Sequence, residues 1–227
     1  AGIVKMADGF YVGLGNIVLF KESEHEVGGT TYSADDPSWI VPTLYLAYNQ
    51  QNWSLFMNFE SFDGGGKYKF SNSSATGLVG FAGAFNRLNS TAFGATNTKV
   101  ANAEVSSSWT QLKLGGAFEL NNMVSFSAGI RYIMGKTTLD ADGVSGNIAV
   151  LTSGTGAFSL EIERNYTGWG GFVGVDVAPT DGLNLTATWF TRATVIGEED
   201  QVLKTGGTTL ADNSSLGYEY IPAQLFL

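Results

Sequence analysis

The sequence predicts an all-β protein, a single antiparallel transmembrane β-barrel domain over residues 1–227 with about eight strands. Apolar residues recur at every second position over segments of about ten residues, the length of a tilted strand that crosses a bilayer. The connections between these segments alternate between long and very short ones. Bacterial outer-membrane barrels have this arrangement, with long external loops and short periplasmic turns.

The clearest strands form a hairpin between Trp109 and Leu139, around a tight turn at Asn121-Asn122. Side chains alternate across a strand, so each strand has two distinct faces. One face is almost entirely apolar and is predicted to contact lipid: Leu112, Leu114, Gly116, Phe118, Leu120, Val124, Phe126, Ala128, Ile130, Tyr132 and Met134. The other is polar or small and is predicted to line a lumen: Gln111, Lys113, Gly115, Ala117, Glu119, Ser125, Ser127, Gly129, Arg131 and Ile133. A soluble β-sandwich hairpin would alternate in the same way, so the hairpin alone leaves both interpretations open.

The chain before this hairpin predicts three strands, at Asp8–Phe20, Trp39–Tyr48 and Trp53–Phe62. A long charged loop, Lys21–Ser38, follows the first strand, and a tight turn at Asn49–Asn52 joins the other two. In the third strand alternate residues are predicted to face inward: Ser54, Phe56, Asn58, Glu60 and Phe62.

The chain after the hairpin predicts three more strands, at Trp169–Ala178, Leu183–Ile196 and Leu216–Leu227. The turn Pro179–Gly182 and the polar loop Gly197–Ser215 connect them. Alternation places Phe172, Asp176, Phe190 and Arg192 inward, and it places Trp169, Val173, Trp189, Ala193 and Val195 outward.

Two long segments rich in glycine, serine and threonine complete the chain, at Asp63–Ser108 and Asp140–Thr167. We expect both to be external loops. Aromatic residues stand where such a barrel has its two interfacial girdles. They are Trp39, Trp109 and Trp169 at the loop side, and Tyr48 and Trp53 at the turn side. A soluble sandwich has no reason to segregate its connections in this way, so the membrane barrel is favoured.

Composition excludes several classes of function. A net charge of −9 argues against a nucleic-acid partner, which requires a basic surface. The absence of cysteine excludes a thiolate metal site and a cysteine nucleophile. No run of apolar residues is long enough for a transmembrane helix.

Motifs for catalysis or cofactors are weak, so we expect no enzyme and no cofactor. The single histidine, His25, lies in a charged loop stretch, and the chain has no nucleophile elbow. Asp140-Ala-Asp142-Gly143 resembles the start of a calcium loop but lacks the third acidic ligand and the closing glutamate. Gly168–Gly174 resembles a dinucleotide fingerprint, but Val173 replaces the third glycine and a valine-rich strand follows.

Several segments resemble the FadL/TodX family of outer-membrane transporters for long-chain fatty acids and other hydrophobic compounds. They are Pro42–Trp53, Gly64-Gly65-Gly66, Asn122–Gly135, Gly168–Leu185 and Ile221–Leu225, and Ala1-Gly2 matches the end of the motif that closes the family's amino-terminal hatch. The resemblance implies a monomeric fourteen-stranded barrel in the cell outer membrane, surrounded by outer-membrane lipid. This chain would supply about eight of those strands and no hatch, as a fragment would. A complete eight-stranded barrel, with an interior filled by side chains, remains the alternative.

Candidate substrate-binding residues fall into two groups. Phe56, Phe62, Phe172 and Phe190 point inward, where they suit an apolar ligand or detergent, although filling of the interior explains them nearly as well. The inward charges Arg131 and Arg192 are candidates to hold a ligand carboxylate, and pairing with Glu60, Lys113, Glu119 and Asp176 across the lumen is the alternative.

The second group lies on the first long loop, between Gly77 and Gly94. Its apolar members are Leu78, Phe81, Phe85, Leu88 and Phe93. An apolar set on an external loop is unfavourable unless it meets something, so these residues either capture ligand or cap the barrel mouth. By resemblance, family members release substrate sideways through a kinked strand, and Gly64–Gly66 is where we expect a comparable break.

The sequence therefore predicts passive, ligand-gated uptake of hydrophobic small molecules. A structural or adhesive outer-membrane barrel, which would bind a partner through its loops, is the alternative.

Overall fold

The computed structural model describes residues 2–20, 23–27, 30–34, 37–71, 102–144, 158–180, 182–205 and 208–226. One short 3-10 helix, η1, spans Gly2–Lys5, and nearly all other described residues lie in antiparallel strands. The strands are β1 Gly9–Leu19, β2 Ser23–Val27, β3 Thr30–Ala34, β4 Ser38–Gln50, β5 Trp53–Ser71, β6 Asn102–Asn121, β7 Val124–Val144, β8 Phe158–Thr180, β9 Leu183–Phe190, β10 Ala193–Thr205, β11 Thr208–Ile221 and β12 Gln224–Phe226. Among these residues no helix is long and apolar enough to cross a membrane.

Ten of the strands form one sheet in the order β1-β4-β5-β6-β7-β8-β10-β11, with β9 paired to the second half of β8 and β12 paired to β9. β2 and β3 form a separate hairpin. The described sheet is open, with β1 at one edge and β11 and β12 at the other. The predicted fold class, an antiparallel barrel wall, is confirmed.

The two faces of the sheet have the inverse of a soluble protein's polarity. On the β6–β7 hairpin, the side chains of Leu114 and Ile130 are 44% and 51% exposed, whereas Gln111 and Arg131 are 4% and 1% exposed. Apolar side chains thus cover the outer face, and the enclosed inner face buries polar and charged side chains together with apolar ones. A continuous exposed apolar face of this kind is unfavourable in water and is expected of a wall in contact with lipid.

The hairpin turn forms where the sequence predicts it. The Asn121 side-chain oxygen accepts hydrogen bonds from the backbone N–H groups of Met123 and Val124, each at 2.9 Å. The side chain of an asparagine can in this way satisfy backbone donors that a two-residue turn leaves unpaired.

The external connections are shorter than predicted, because the strands continue past their expected ends. β5 continues to Ser71, β7 continues to Val144 and β10 continues to Thr205, and the predicted loop Lys21–Ser38 contains the β2–β3 hairpin. The sequence of these extensions is rich in polar residues and glycine, so the apolar alternation that identifies a strand is weak there. Their few apolar residues still face inward, as the burial of Leu139 on β7 shows, and the backbone ladder with the neighbouring strand continues.

Cross-strand ion pairs stabilise the polar extensions. Lys67 contacts Glu104, and the Lys136 ammonium lies 2.8 Å from Glu163. The hydrogen bond from Lys67 lowers the pKa of the Glu104 carboxyl, and the hydrogen bond from Lys136 lowers the pKa of Glu163. Each pair therefore contributes at neutral pH and is lost as the carboxylate protonates in acid.

The predicted outward position of Ala193 and Val195 is wrong. Thr194 pairs with Trp169 on β8, but Phe190 pairs with Phe172, so one extra residue stands between β9 and β10. This bulge reverses the alternation, and Ala193 and Val195 face inward with 0% exposure. Alternation along a chain cannot reveal a one-residue insertion relative to the neighbouring strand.

The aromatic girdles are confirmed only in part. Trp169 is exposed on the outer face, 4.8 Å from the Tyr132 ring, and Tyr48 and Trp53 lie 5.8 Å apart near the opposite end of the strands. Trp109 is not a girdle residue, because its indole packs on the inner face against the buried cluster of Ile133, Tyr166, Ala193 and Val195. The side chain of Trp39 lies outside the described residues.

The assignment of an outer and an inner face predicts that arginine has different effects on stability at two adjacent positions. Leu114→Arg places a charge on the lipid face and should destabilise the protein by about 2–4 kcal/mol, whereas Lys113→Arg keeps a charge on the inner face and should have almost no effect. Equilibrium urea unfolding in lipid vesicles measures both. Equal losses at the two positions would contradict the assignment of faces.

Candidate functional site

The inner face encloses a cavity of about 800 Å³. Its lining falls into three layers along the strands. The phenylalanine layer, nearest the turns, consists of Phe56, Phe172, Phe190 and Phe226. A polar belt follows, made of Asn58, Glu60, Gln111, Lys113 and Arg131. Phe62 and Trp109 line the end towards the external extensions, and together with Tyr166, which stacks on Trp109 but does not itself line the cavity, they form the upper aromatic cluster.

The phenylalanine layer is a row of ring contacts across the sheet. The centroid of the Phe172 ring lies 6.0 Å from that of Phe56 and 5.9 Å from that of Phe190. Phe226 meets Phe190 edge to face at 5.5 Å. These are favourable aromatic separations, and they give the cavity an apolar wall. Phe56, Phe172 and Phe190 face inward as the sequence predicts.

Within the polar belt, Glu60 neutralises Lys113. The Lys113 ammonium lies 2.7 Å from the Glu60 carboxylate. That carboxylate also accepts hydrogen bonds from the side-chain amides of Gln111 at 2.8 Å and Asn58 at 2.6 Å. A charged group taken out of water needs such partners. Glu60 and Lys113, two of the charges predicted to face inward, therefore form a structural pair.

Arg131 is the cation of the belt that lacks a carboxylate partner among the described residues. One guanidinium Nη donates to the Thr191 backbone oxygen at 3.0 Å, and the guanidinium lies 4.9 Å above the Phe190 ring. Its Nε–H has no acceptor within the described part of the chain. Because arginine does not lose its proton, the side chain keeps a buried positive charge and an unused donor beside the cavity.

Arg192 does not reach the cavity, so the predicted inward position is wrong. The bulge between β9 and β10 turns its side chain to the outer face, where the guanidinium lies 3.8 Å above the Tyr220 ring. The same insertion that buries Ala193 and Val195 therefore removes Arg192 from the site.

The upper aromatic cluster was only partly predictable. Phe62 faces inward as expected, with its ring 6.4 Å from that of Trp109, and Trp109 stacks on Tyr166 at 4.9 Å. Tyr166 also donates to Glu219 on β11 at 3.2 Å. The sequence predicts neither Trp109 nor Tyr166 in the interior, because Trp109 stands at a predicted girdle position and Tyr166 lies within a predicted loop.

The turn-side end of the inner face is covered by η1. The side-chain amide of Asn49 donates to the backbone oxygens of Val4, Met6 and Ala7. The Lys5 ammonium lies 3.2 Å from Asp176 on β8, across the sheet from β1. The buried Asp176 carboxylate, inward as predicted, also accepts hydrogen bonds at 2.7 Å from two β9 side chains, Asn184 and Thr186. These contacts hold η1 against the inner ends of β4 and β8.

The wall is interrupted between the last two hairpin strands. β9 and β10 are separated at Thr191–Arg192, and β11 and β12 at Pro222–Ala223. The β10–β11 ladder ends at the pair Ala193 and Ile221, and the β9–β12 ladder begins at the pair Phe190 and Gln224. We call the four residues between these pairs the wall break; it borders the cavity, since Phe190, Ile221, Pro222 and Gln224 all line it.

The hydrogen bonds of Thr191 are directed away from the wall break. Its N–H donates to Gly171 on β8 at 2.9 Å, and its hydroxyl accepts from the Gly171 N–H at 2.8 Å. Opposite, Pro222 has no N–H to offer. Thr191 therefore satisfies its hydrogen-bonding groups without joining the two strands.

At Gly64–Gly66, where the sequence predicts a break, β5 bulges relative to β6, and another bulge precedes it between Ser61 and Asp63. Gly64 and Gly66 have positive φ angles of 91° and 77°, which glycine adopts at least cost. A Cβ atom on Gly64 would lie 2.6 Å from the Ser107 backbone oxygen, so β5 is packed closely against β6 there. Pairing continues on both sides of the bulges.

Other predicted features fall on strands or outside the described residues. Asp140–Gly143 lies within β7 and Gly168–Gly174 within β8, so neither forms a binding loop. His25 lies in β2, paired with Tyr32. The described residues contain no group of three or more His, Asp or Glu side chains placed to hold a metal ion. The loop residues Leu78, Phe81, Phe85, Leu88 and Phe93 lie outside the described residues.

The fold resembles that of two solved transporters. No protein-family model and no curated protein sequence matches the chain. The chain aligns with the P. putida toluene transporter TodX at a TM-score of 0.60 and 15% identity, and with the Ralstonia pickettii toluene transporter TbuX at 0.61 and 15%. Each alignment covers 98% of this chain and 58% of the transporter. At this identity the likeness concerns the fold, and it confirms the structural resemblance predicted from the sequence.

The paired charges of the belt predict a specific loss of stability. Glu60→Gln leaves Lys113 enclosed without its carboxylate and should destabilise the protein by about 2 kcal/mol, as expected for the loss of charged hydrogen bonds. Glu163→Gln removes an exposed ion pair of similar length and should cost less than about 1 kcal/mol. Unfolding in lipid vesicles at low salt compares the two, and equal losses would show that the inner belt is as hydrated as the surface.

Proposed function

We propose that the protein takes up hydrophobic small molecules across the outer membrane, through the cavity on its inner face. The phenylalanine layer is the observation that carries this proposal. A row of four rings offers no favourable contact to water or small polar solutes, whereas an apolar ligand buries apolar surface against every ring that it contacts. The fold shared with two toluene transporters supports the same class of cargo.

We propose further that the preferred ligand has an apolar body and one carboxylate, as a long-chain fatty acid has. Arg131 supports this, since its buried charge and unused Nε–H lie next to the phenylalanine layer. A carboxylate there would supply both the missing acceptor and the missing charge. Uptake is passive, with ligand binding and release as its only steps.

Neutral aromatic hydrocarbons are a second candidate. Ring–ring contacts at the phenylalanine layer suit a flat ligand, and both transporters of similar fold are named for toluene. The two candidates differ in whether Arg131 contributes to binding.

Lateral release to the membrane is the proposed exit, and the wall break is its place. The break borders the cavity and needs no hydrogen bond to be broken between β9–β10 and β11–β12. Gly64–Gly66 is less suitable, because β6 packs closely against it. Capture of ligand by the apolar residues of the loop 77–94 remains part of the proposal. An adhesive barrel, with its inner face filled only for stability, is the rival.

Replacing Arg131 separates the two ligand classes. Arg131→Met should weaken binding of a long-chain fatty acid by roughly tenfold or more, because a charged hydrogen bond is worth about 1.5–3 kcal/mol. Binding of toluene should change little. Titration calorimetry on the protein in nanodiscs measures both, with Arg192→Met as the control on the outer face. Unchanged fatty-acid affinity would reject the carboxylate site, and binding of neither ligand by the unaltered protein would favour the adhesive rival.

Closing the wall break tests the exit. The chain has no cysteine, so Thr191→Cys with Ala223→Cys introduces a single pair, at positions that the flanking register places opposite each other. Oxidation should stop transfer of ligand to the surrounding lipid and reduction should restore it. The pair Ile196→Cys with Tyr218→Cys, on the intact ladder, is the control. Transfer that continues with the first disulfide closed would place the exit elsewhere.

A further inference from the structure

Large side chains on the inner face lie flat against glycines of neighbouring strands. Trp109 covers Gly135, Tyr166 covers Gly197, and Arg131 covers Gly170. A Cβ atom on any of these glycines would lie within 2.6–2.9 Å of the covering side chain. Carbon atoms at their preferred separation are about 3.5–4.0 Å apart, so the missing Cβ makes each arrangement possible.

The phenylalanine layer depends most strongly on this arrangement. Phe56, Gly115, Gly129 and Phe172 occupy four paired positions in a row across β5, β6, β7 and β8. The two phenylalanines lean towards each other over the two glycines. A Cβ on Gly115 would lie 2.8 Å from the Cζ atoms of both rings, and a Cβ on Gly129 would lie 2.5 Å from the Cζ of Phe172.

The glycines therefore decide where the rings lie. With hydrogen at both positions the rings lie along the wall and leave the space above them to the cavity. With a methyl group at either position a ring has to turn away from the wall and into that space. Gly116, the neighbour of Gly115 on the outer face, does not affect the rings in this way, because a Cβ added there would have no atom closer than 3.4 Å.

We propose that Gly115 and Gly129 determine specificity by setting the free width of the cavity at the phenylalanine layer. This inference rests on the proposed function, since it concerns which hydrophobic ligands pass. The selected property is the cross-section of the ligand: a linear alkyl chain passes a narrowed layer, whereas a branched ring does not. Gly115 is the better position to test, because a Cβ on Gly129 would also collide with the Leu114 backbone oxygen.

The experiment uses the intact protein in lipid vesicles and two neutral probes, n-octane and 1,3,5-trimethylbenzene. Gly115→Ala should slow uptake of trimethylbenzene at least tenfold and that of octane less than threefold. Gly116→Ala should change neither. Heat-modified mobility on a gel confirms that each variant is folded.

A rescue separates cavity width from backbone strain. A Cβ on Gly115 would also lie 2.8 Å from the Ala128 backbone oxygen, and this contact persists whatever the rings do. Adding Phe56→Leu and Phe172→Leu to Gly115→Ala removes both Cζ atoms and should restore the ratio of trimethylbenzene uptake to octane uptake to within threefold of the original. Failure of the rescue, with all variants folded, overturns the inference.

Three further outcomes are decisive. If Gly115→Ala does not fold, Phe172→Leu alone decides, because removing the ring tip widens the layer and should raise the ratio of trimethylbenzene uptake to octane uptake several-fold; an unchanged ratio would overturn the inference. If the unaltered protein moves neither probe faster than empty vesicles, the proposed function itself fails. Uptake of both probes without discrimination by Gly115→Ala overturns only the role of the glycines.

Discussion

Hydrogen bonding between the backbones of neighbouring strands is the constraint on which the rest of this structure depends. A bilayer offers no partner to an N–H or C=O group, and each unpaired group there costs several kcal/mol. The strands of the hairpin β6–β7 satisfy these groups by pairing with each other along almost their whole length. Because side chains alternate along each strand, the same pairing decides which residue meets lipid and which meets the cavity.

The two interruptions of the wall show how this constraint can be relaxed locally. At Gly64–Gly66 the extra residues are absorbed by glycines with positive φ, and the neighbouring strand stays close. At the wall break the solution differs, because Thr191 satisfies its backbone through Gly171 and Arg131 while Pro222 has no N–H to satisfy. The first arrangement keeps the wall closed, and the second leaves two strands unjoined next to the cavity.

Charge is distributed unevenly over the inner face. Glu60 has three donors around one carboxylate, so the cost of enclosing it is offset and Lys113 is held as its partner. Arg131 has a carbonyl oxygen and an aromatic ring, which interact with a cation more weakly than a carboxylate does. Such a charge is costly unless something completes its surroundings. This asymmetry places an incompletely paired charge in the polar belt, next to the row of phenylalanines.

The sequence by itself determined the inner and outer faces of the β6–β7 hairpin and the inward positions of Phe56, Phe172, Phe190 and Arg131. These follow from a period of two repeated over many residues, which a lipid-facing wall requires. Only the tertiary structure decided the rest. The reversal at Arg192, the inward packing of Trp109 and the pairing of Phe56 with Gly115 and of Phe172 with Gly129 all depend on register between strands. Register is a relation between segments distant in the chain, so a pattern read along one strand does not contain it.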